Sequence, residues 1–366
     1  MIKIHRKSKE KEYKRVEGIR RRTWDPKKLE NSPVSREILE YGEEKFLPII
    51  AITVLLKCLV LVSCKLSWPR FVALFVAPSR QLKSYTSRAV MKIFDKEFWL
   101  DVHSDFTMHS LEKYKDIIKN GICILINDAT TLLRSIAKRT KDRLVGGLSE
   151  LFSDGSYVNQ DFRGKVVDLK GWVTAILNIT SESYKNHEDR MLGLTFLERA
   201  LTVHYVLTKQ ETEIWVEKEQ RTKHMKFKST ITIDDIETDI QEIPSHYLKL
   251  IKIQARQFSY LSMRSFVGSQ DIIKAIVRAH AALNKRKQLC TDDFYIVTLI
   301  KPYLINPFSP YEGQIVKLRA QGLSYREIQE KIGKKNYLRQ IQRVVKQAQI
   351  RGILPLENQT RSNYEK

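Results

Sequence analysis

From residue 46 onward, continuous apolar runs alternate with segments whose apolar positions recur every three or four residues. FVALFVA (71–77) has the pattern of a fully buried strand, and SYTSRAVMKIF (84–94) that of the helix after it. FWLDVHS (98–104) predicts a second strand, HSLEKYKDIIKN (109–120) a second helix and GICILIND (121–128) a third strand. A long helix then ends at Gly155, and WVTAILNIT (172–180) predicts a fourth strand. Continuous apolar strands separated by amphipathic helices imply an α/β fold with a parallel sheet covered on both faces. Ligands in such sheets bind outside the carboxyl ends of the strands.

The longest apolar run, FLPIIAITVLLKCLVLVSC (46–64), approaches the length that spans a bilayer. Lys57 near its middle, Pro48 at its start and the second apolar run that follows argue instead for a buried helix feeding a buried strand. No membrane span is expected.

Composition adds a partner to this picture. Among 366 residues, Lys and Arg number 64 and Asp and Glu 42, so 64 − 42 leaves a net charge of +22. With 42% hydrophobic residues the chain can bury a core, which excludes global disorder, and the surplus of cations points to nucleic acid. The cysteines at 58, 64, 123 and 290 form no C-x-x-C pair, so reduced thiols in a cytoplasmic protein are expected rather than a zinc site. The first 28 residues are crowded with Lys and Arg and lack the apolar stretch of a secretory signal.

The loop after the first strand carries candidate phosphate chemistry. Ala77-Pro78-Ser79-Arg80-Gln81-Leu82-Lys83-Ser84 fits the frame G-x-x-x-x-G-K-[ST], with Ala77 and Leu82 in place of the two glycines. Such a loop needs amides turned toward the phosphates, a lysine to reach the outer ones and a hydroxyl for magnesium. Lys83 and Ser84 supply the last two, and taken alone the segment also reads as a plain basic helix start. The third strand ends in Ile126-Asn127-Asp128-Ala129, where a metal-holding carboxylate and a water-activating one would stand. Two registers are open: Asn127 with Asp128, or Asp128 with Ala129. Asn178, read as the end of the fourth strand, is placed to orient an attacking water, and Arg190 or Arg199 to reach a neighbouring subunit's terminal phosphate.

In the order of these segments the chain resembles the AAA+ ATPases, and among them the minichromosome maintenance helicases, over roughly residues 45 to 300. The resemblance implies ATP and Mg²⁺ as ligands, Ser84 and Asp128 as metal ligands, a homo-oligomeric ring and Arg199 as the arginine finger. It also implies a helical lid, in which Arg264 of Ser262-Met263-Arg264-Ser265 is the phosphate sensor and Arg278 a second candidate. Between the third and fourth strands GSYVNQDFRGKVVDLKGW (155–172) predicts a hairpin, and the resemblance sends it into a central channel where Arg163, Lys165 and Lys170 would meet DNA phosphates. The ring domain that precedes the core in those helicases has no counterpart in this sequence.

The last segment has a strong local signal. One short helix is stopped by Gly322, Ser324 caps a second over 325–332, Gly333 stops that, and a basic helix runs from about 336 to 351. This is the helix-turn-helix arrangement, winged-helix-like, with Ile315, Leu318, Leu323, Ile328, Ile332, Ile341, Val344 and Val345 as its core. Lys334, Lys335, Asn336, Arg339, Gln340, Arg343 and Lys346 cluster on the third helix and the turn before it and are the expected DNA contacts. The expected organisation is a basic arm (1–45), an AAA+ core (46–217), a helical lid (218–306), the helix-turn-helix domain (307–353) and a tail (354–366). The expected function is ATP-driven remodelling or loading on DNA in replication or maintenance. The alternative is a catalytically degenerate scaffold that binds DNA or regulates transcription.

Overall fold

The computed structural model describes residues 24–102, 107–130, 138–160, 166–193, 200–207, 209–262 and 265–304. In the carboxyl-terminal segment it describes 315, 318–319, 322–332, 338, 341–342 and 344–345. Among the described residues the first α-helices are α1 (Pro33–Lys45), which follows a 3₁₀ turn at Pro26–Leu29, and α2 (Pro48–Ser63). β1 (Val72–Ala77), α3 (Lys83–Met91), β2 (Trp99–Asp101), α4 (Met108–Leu111), α5 (Lys115–Lys119) and β3 (Ile122–Ile126) follow. Next come α6 (Lys138–Asp154), the strands β4 (Ser156–Gln160) and β5 (Val166–Lys170), β6 (Val173–Thr180), α7 (Ser181–Gly193) and β7 (Ala200–His204). α8 (Lys209–Thr222), α9 (Ser245–Ser262), α10 (Phe266–Leu283), α11 (Thr291–Ile300) and α12 (Tyr325–Ile332) complete the described α-helices and strands.

Five strands form one sheet in the order β2-β3-β6-β1-β7, and every pairing in it is parallel. β4 and β5 form a separate antiparallel pair, as the hairpin pattern predicts. Alternate residues of β1 enter different cores. Ala73, Phe75 and Ala77 join Cys123, Leu125 and Ile176 beneath α1, α2 and α9 to α11. Val72, Leu74 and Val76 join Ile124, Leu177 and residues of α6 and the hairpin on the other face. A sheet buried on both faces needs strands without polar alternation, which is why β1, β3 and β6 are continuous apolar runs.

α2 lies fully inside the first core, with every residue from Ile50 to Ser63 buried. At 16 residues it is roughly 24 Å long, short of the ~30 Å hydrocarbon thickness. Among the described residues no helix is long and apolar enough to cross a membrane.

Several sequence expectations shift. β2 has three residues rather than seven, because this edge strand pairs only with β3. The helix expected over 109–120 is broken by a 3₁₀ turn at Glu112–Tyr114. β7 was not expected at all. Residues 24–45, assigned to the basic arm, are packed: Trp24, Leu29, Ile38, Leu39 and Tyr41 are buried in the core. Its first helix is also tied down, since Asn284 Oδ1 after α10 accepts from the Val34 and Ser35 amides at 3.1 and 3.2 Å, capping an end that Ser32 leaves uncapped. The expected boundary at 217/218 falls inside α8, and residues on both sides of it share one core with α2.

α10 and α11 are locked together by a buried charge network. Asp293 meets His280 Nδ1 at 2.6 Å and accepts from Arg286 Nη2 at 2.7 Å. In the carboxyl-terminal segment Ile315, Ile328, Ile341, Val344 and Val345 form a cluster of their own, flanked by Leu318, Leu323 and Ile332. These are the residues expected to form that module's core.

Candidate functional site

β1 delivers the chain at Ala77 to the carboxyl edge of the sheet, and α3 starts six residues later. Without glycine the connection still turns through left-handed backbone, at Arg80 (φ 62°) and at Leu82 (φ 61°, ψ 0°). Each such residue costs about 1–2 kcal/mol and persists only where its surroundings over-determine it. Here they do. Gln81 is paired at both ends with Leu207, donating to its carbonyl at 3.2 Å and accepting from its amide at 2.9 Å, while Tyr205 Oη donates to the Gln81 carbonyl at 2.9 Å. The Leu82 side chain is buried, and its carbonyl accepts from the Thr86 amide at 2.8 Å.

The loop, α3 and the strand tips enclose a pocket of about 330 Å³, lined by Ser79 to Tyr85, Asn127, Asp128, Asn178 to Thr180 and Trp215. Of the expected loop, Ser79 to Ser84 line it, and Ala77 and Pro78 take part through their carbonyls: Lys83 Nζ folds back to donate to them at 2.7 and 2.6 Å. Burial pulls the Lys83 pKa down to about 8, with the charge of Asp128 acting in the opposite direction. Ser84 Oγ donates to the Asn127 carbonyl at 3.1 Å, bringing α3 against the tip of β3. Asp128 is exposed and accepts from the Thr130 amide at 3.0 Å. Asn127 Nδ2 donates to Asp101 at 3.4 Å, whereas its Oδ1 is buried with no donor among the described residues. The Ser84 hydroxyl, the orphaned Asn127 oxygen and the Asp128 carboxylate make an all-oxygen donor set, which fits Mg²⁺. Tyr85 and Trp215, 5.9 Å apart edge to face, add an aromatic wall that sequence reading missed.

Asn178 differs from expectation. It lies inside β6, opposite Phe75 of β1, and Thr180 forms the strand's tip. Its amide is spent at both ends, with Nδ2 donating to Ser87 Oγ at 2.9 Å and Oδ1 accepting from Lys57 Nζ at 3.3 Å. Only 1% of Asn178 is exposed, so it braces the interior rather than presenting a free amide to water. Lys57, which sequence reading used only as an argument against a membrane span, sits directly beneath the loop. Its Nζ also donates to the Lys83 carbonyl at 2.8 Å, Thr86 Oγ1 at 2.8 Å and Ser87 Oγ at 2.7 Å, and it stands 4.5 Å from the Phe75 ring centre. Complete burial, reinforced by Lys83, holds its pKa well below the ordinary lysine range.

Arg278 is not part of this site. It donates to the Trp68 carbonyl at 2.7 Å and to Ser67 Oγ at 2.6 Å, just before β1 starts, at the opposite end of the strand from Lys83. Lys170 lies on β5 and pairs with Asp168 at 3.3 Å. Arg199 and Arg264 lie outside the described residues, as do Arg163 and Lys165 of the hairpin. So do Lys334, Lys335, Asn336, Arg339, Gln340, Arg343 and Lys346 of the expected DNA contacts. α7 contains Arg190, whose side chain is likewise outside them.

The sequence matches no protein-family model and no curated protein.

Proposed function

We propose that the chain is a DNA-binding ATPase-like protein of AAA+ type, similar in motif order to the minichromosome maintenance helicases, that binds ATP with Mg²⁺ at residues 77–84. It acts as a homo-oligomer on DNA in replication or maintenance. The observation that carries this reading is the junction of Lys83 and Ser84 with the Asn127-Asp128 tip, across the carboxyl edge of a parallel sheet. In this reading the first-turn amides of α3 and the helix dipole face the phosphate chain. Lys83 exchanges two backbone carbonyls for phosphate oxygens. Ser84, Asn127 Oδ1 and Asp128 hold Mg²⁺, which neutralises charge on the outer phosphates. Asp128 is then the nearest carboxylate for a water, and Thr180 takes the strand-tip position once given to Asn178. Arg199 and Arg264 serve as finger and lid sensor, and Arg339 and Arg343 lead the DNA contacts of a helix-turn-helix domain.

The second reading, a scaffold that binds DNA without turnover, is favoured by one observation: both ends of the Asn178 amide are engaged in the interior. ATP binding and hydrolysis measured with and without duplex DNA separate the two. The enzyme reading expects DNA-stimulated turnover that requires Lys83. Binding without turnover selects the scaffold, and no binding by the wild type removes the nucleotide site from both.

A further inference from the structure

Lys57 is fully buried, and no carboxylate pairs with it among the described residues. Removing an ammonium from water without a counter-ion is among the costliest acts in folding. Its neighbours supply no negative charge. They are a carbonyl, two hydroxyls, one amide oxygen and an aromatic face, and the nearest ionisable group on α3 is another cation, Lys83. The site is also specific in place. Three of the four acceptors belong to the first turns of α3, the helix whose amino end faces the pocket, and the fourth is Asn178 on the strand beside β1. Lys57, Lys83 and the start of α3 therefore converge on one loop that lacks glycine, with the exposed Asp128 at its rim.

We propose that Lys57 is a positioning residue of the phosphate pocket, which braces α3 against β6 and, protonated when a multiply charged phosphate chain binds, draws that chain onto the loop. This rests on the phosphate reading of that pocket and goes beyond it. The ligand class is a chain of phosphates recognised by charge, so affinity climbs from phosphate to pyrophosphate to tripolyphosphate. A merely structural lysine would shift all three ligands alike.

The test uses the full chain and these three inorganic anions, with binding measured calorimetrically. The variants are Lys57→Met, Lys57→Met with Asn178→Leu, and Lys83→Ala. The double variant also removes Asn178, the one acceptor of Lys57 outside α3, so that fewer buried polar groups are left without a partner if the single change fails to fold. Wild type should show the climb in affinity. The folded Lys57 variants should lose about tenfold for tripolyphosphate and much less for phosphate, the size expected of one charge acting through a partly polar interior. Wild-type affinities and an undiminished climb in both variants, with binding abolished in Lys83→Ala, would overturn the role of Lys57 and leave the pocket reading standing. No binding by the wild type, or unchanged binding by Lys83→Ala, would remove the pocket reading and Lys57 with it.

Discussion

Two helix starts in this chain follow left-handed residues, and they are built in opposite ways. Before α12, Gly322 takes φ +87°, with open space where a side chain would stand. Ser324 then closes a reciprocal cap with Glu327, its amide donating to the carboxylate at 2.7 Å and its Oγ accepting from the Glu327 amide at 3.3 Å. Every residue there suits its local conformation. Before α3, Arg80 and Leu82 hold conformations that favour glycine, and Leu82 offers no cap. The first turn is fixed by its own sequence. The second is fixed by distant contacts from Gln81, Tyr205 and Lys57, and the pocket lies over it. The strain held from outside thus falls at the loop to which the proposed function is assigned.

The largest stability effect that would break this contrast is expected from Gln81→Ala. It leaves the Leu207 amide and carbonyl unpaired, so a loss of about 2–4 kcal/mol should appear in urea unfolding. Next is pH. The folded Lys83 pKa, about 8, lies below the ordinary value of 10.5, so the unfolded chain binds more protons between the two. The ligand-free protein should therefore gain stability from this group as pH rises from 8 toward 10.5. ATP affinity should fall over the same window by up to about tenfold per unit, and Lys83→Met should remove both trends. Gly322→Ala should cost about 1–2 kcal/mol, read as faster amide exchange in 322–332, because only backbone strain is introduced in open space. The smallest effect has the opposite sign. Arg80→Gly should stabilise by about 0.5 kcal/mol, the relief of left-handed strain less the added freedom of the unfolded chain, seen as a slightly higher urea midpoint.

The same contrast explains how far the sequence was legible. β1, β3 and β6 stand out because burial on both faces forces unbroken apolar runs. The carboxyl-terminal core residues stand out because helix spacing places them. β7 escaped, being a short run broken by Thr202 and His204, and so did the packing of 24–45, where dense charge in the first 28 residues masked the apolar spacing of Leu29, Ile38, Leu39 and Tyr41. At the site, Lys83, Ser84 and Asp128 were legible from a local frame. The place of Lys57 was not, since its partners lie 26 to 121 residues away and no periodicity links them. The position of Asn178 failed for a related reason: its strand runs on to Thr180, and alternation turns Asn178 inward onto Lys57.

The central claim is that the loop from Ala77 to Ser84 receives a nucleotide's phosphates through Lys83. Its most direct test is calorimetric titration of MgATP into the wild type and Lys83→Ala at pH 7, where the wild-type lysine is charged. The account predicts saturable binding to the wild type and at least about a hundredfold loss in the variant, the scale of losing a charge-assisted contact of roughly 3 kcal/mol. Equal affinity in the two folded proteins, or no binding to either, would contradict it.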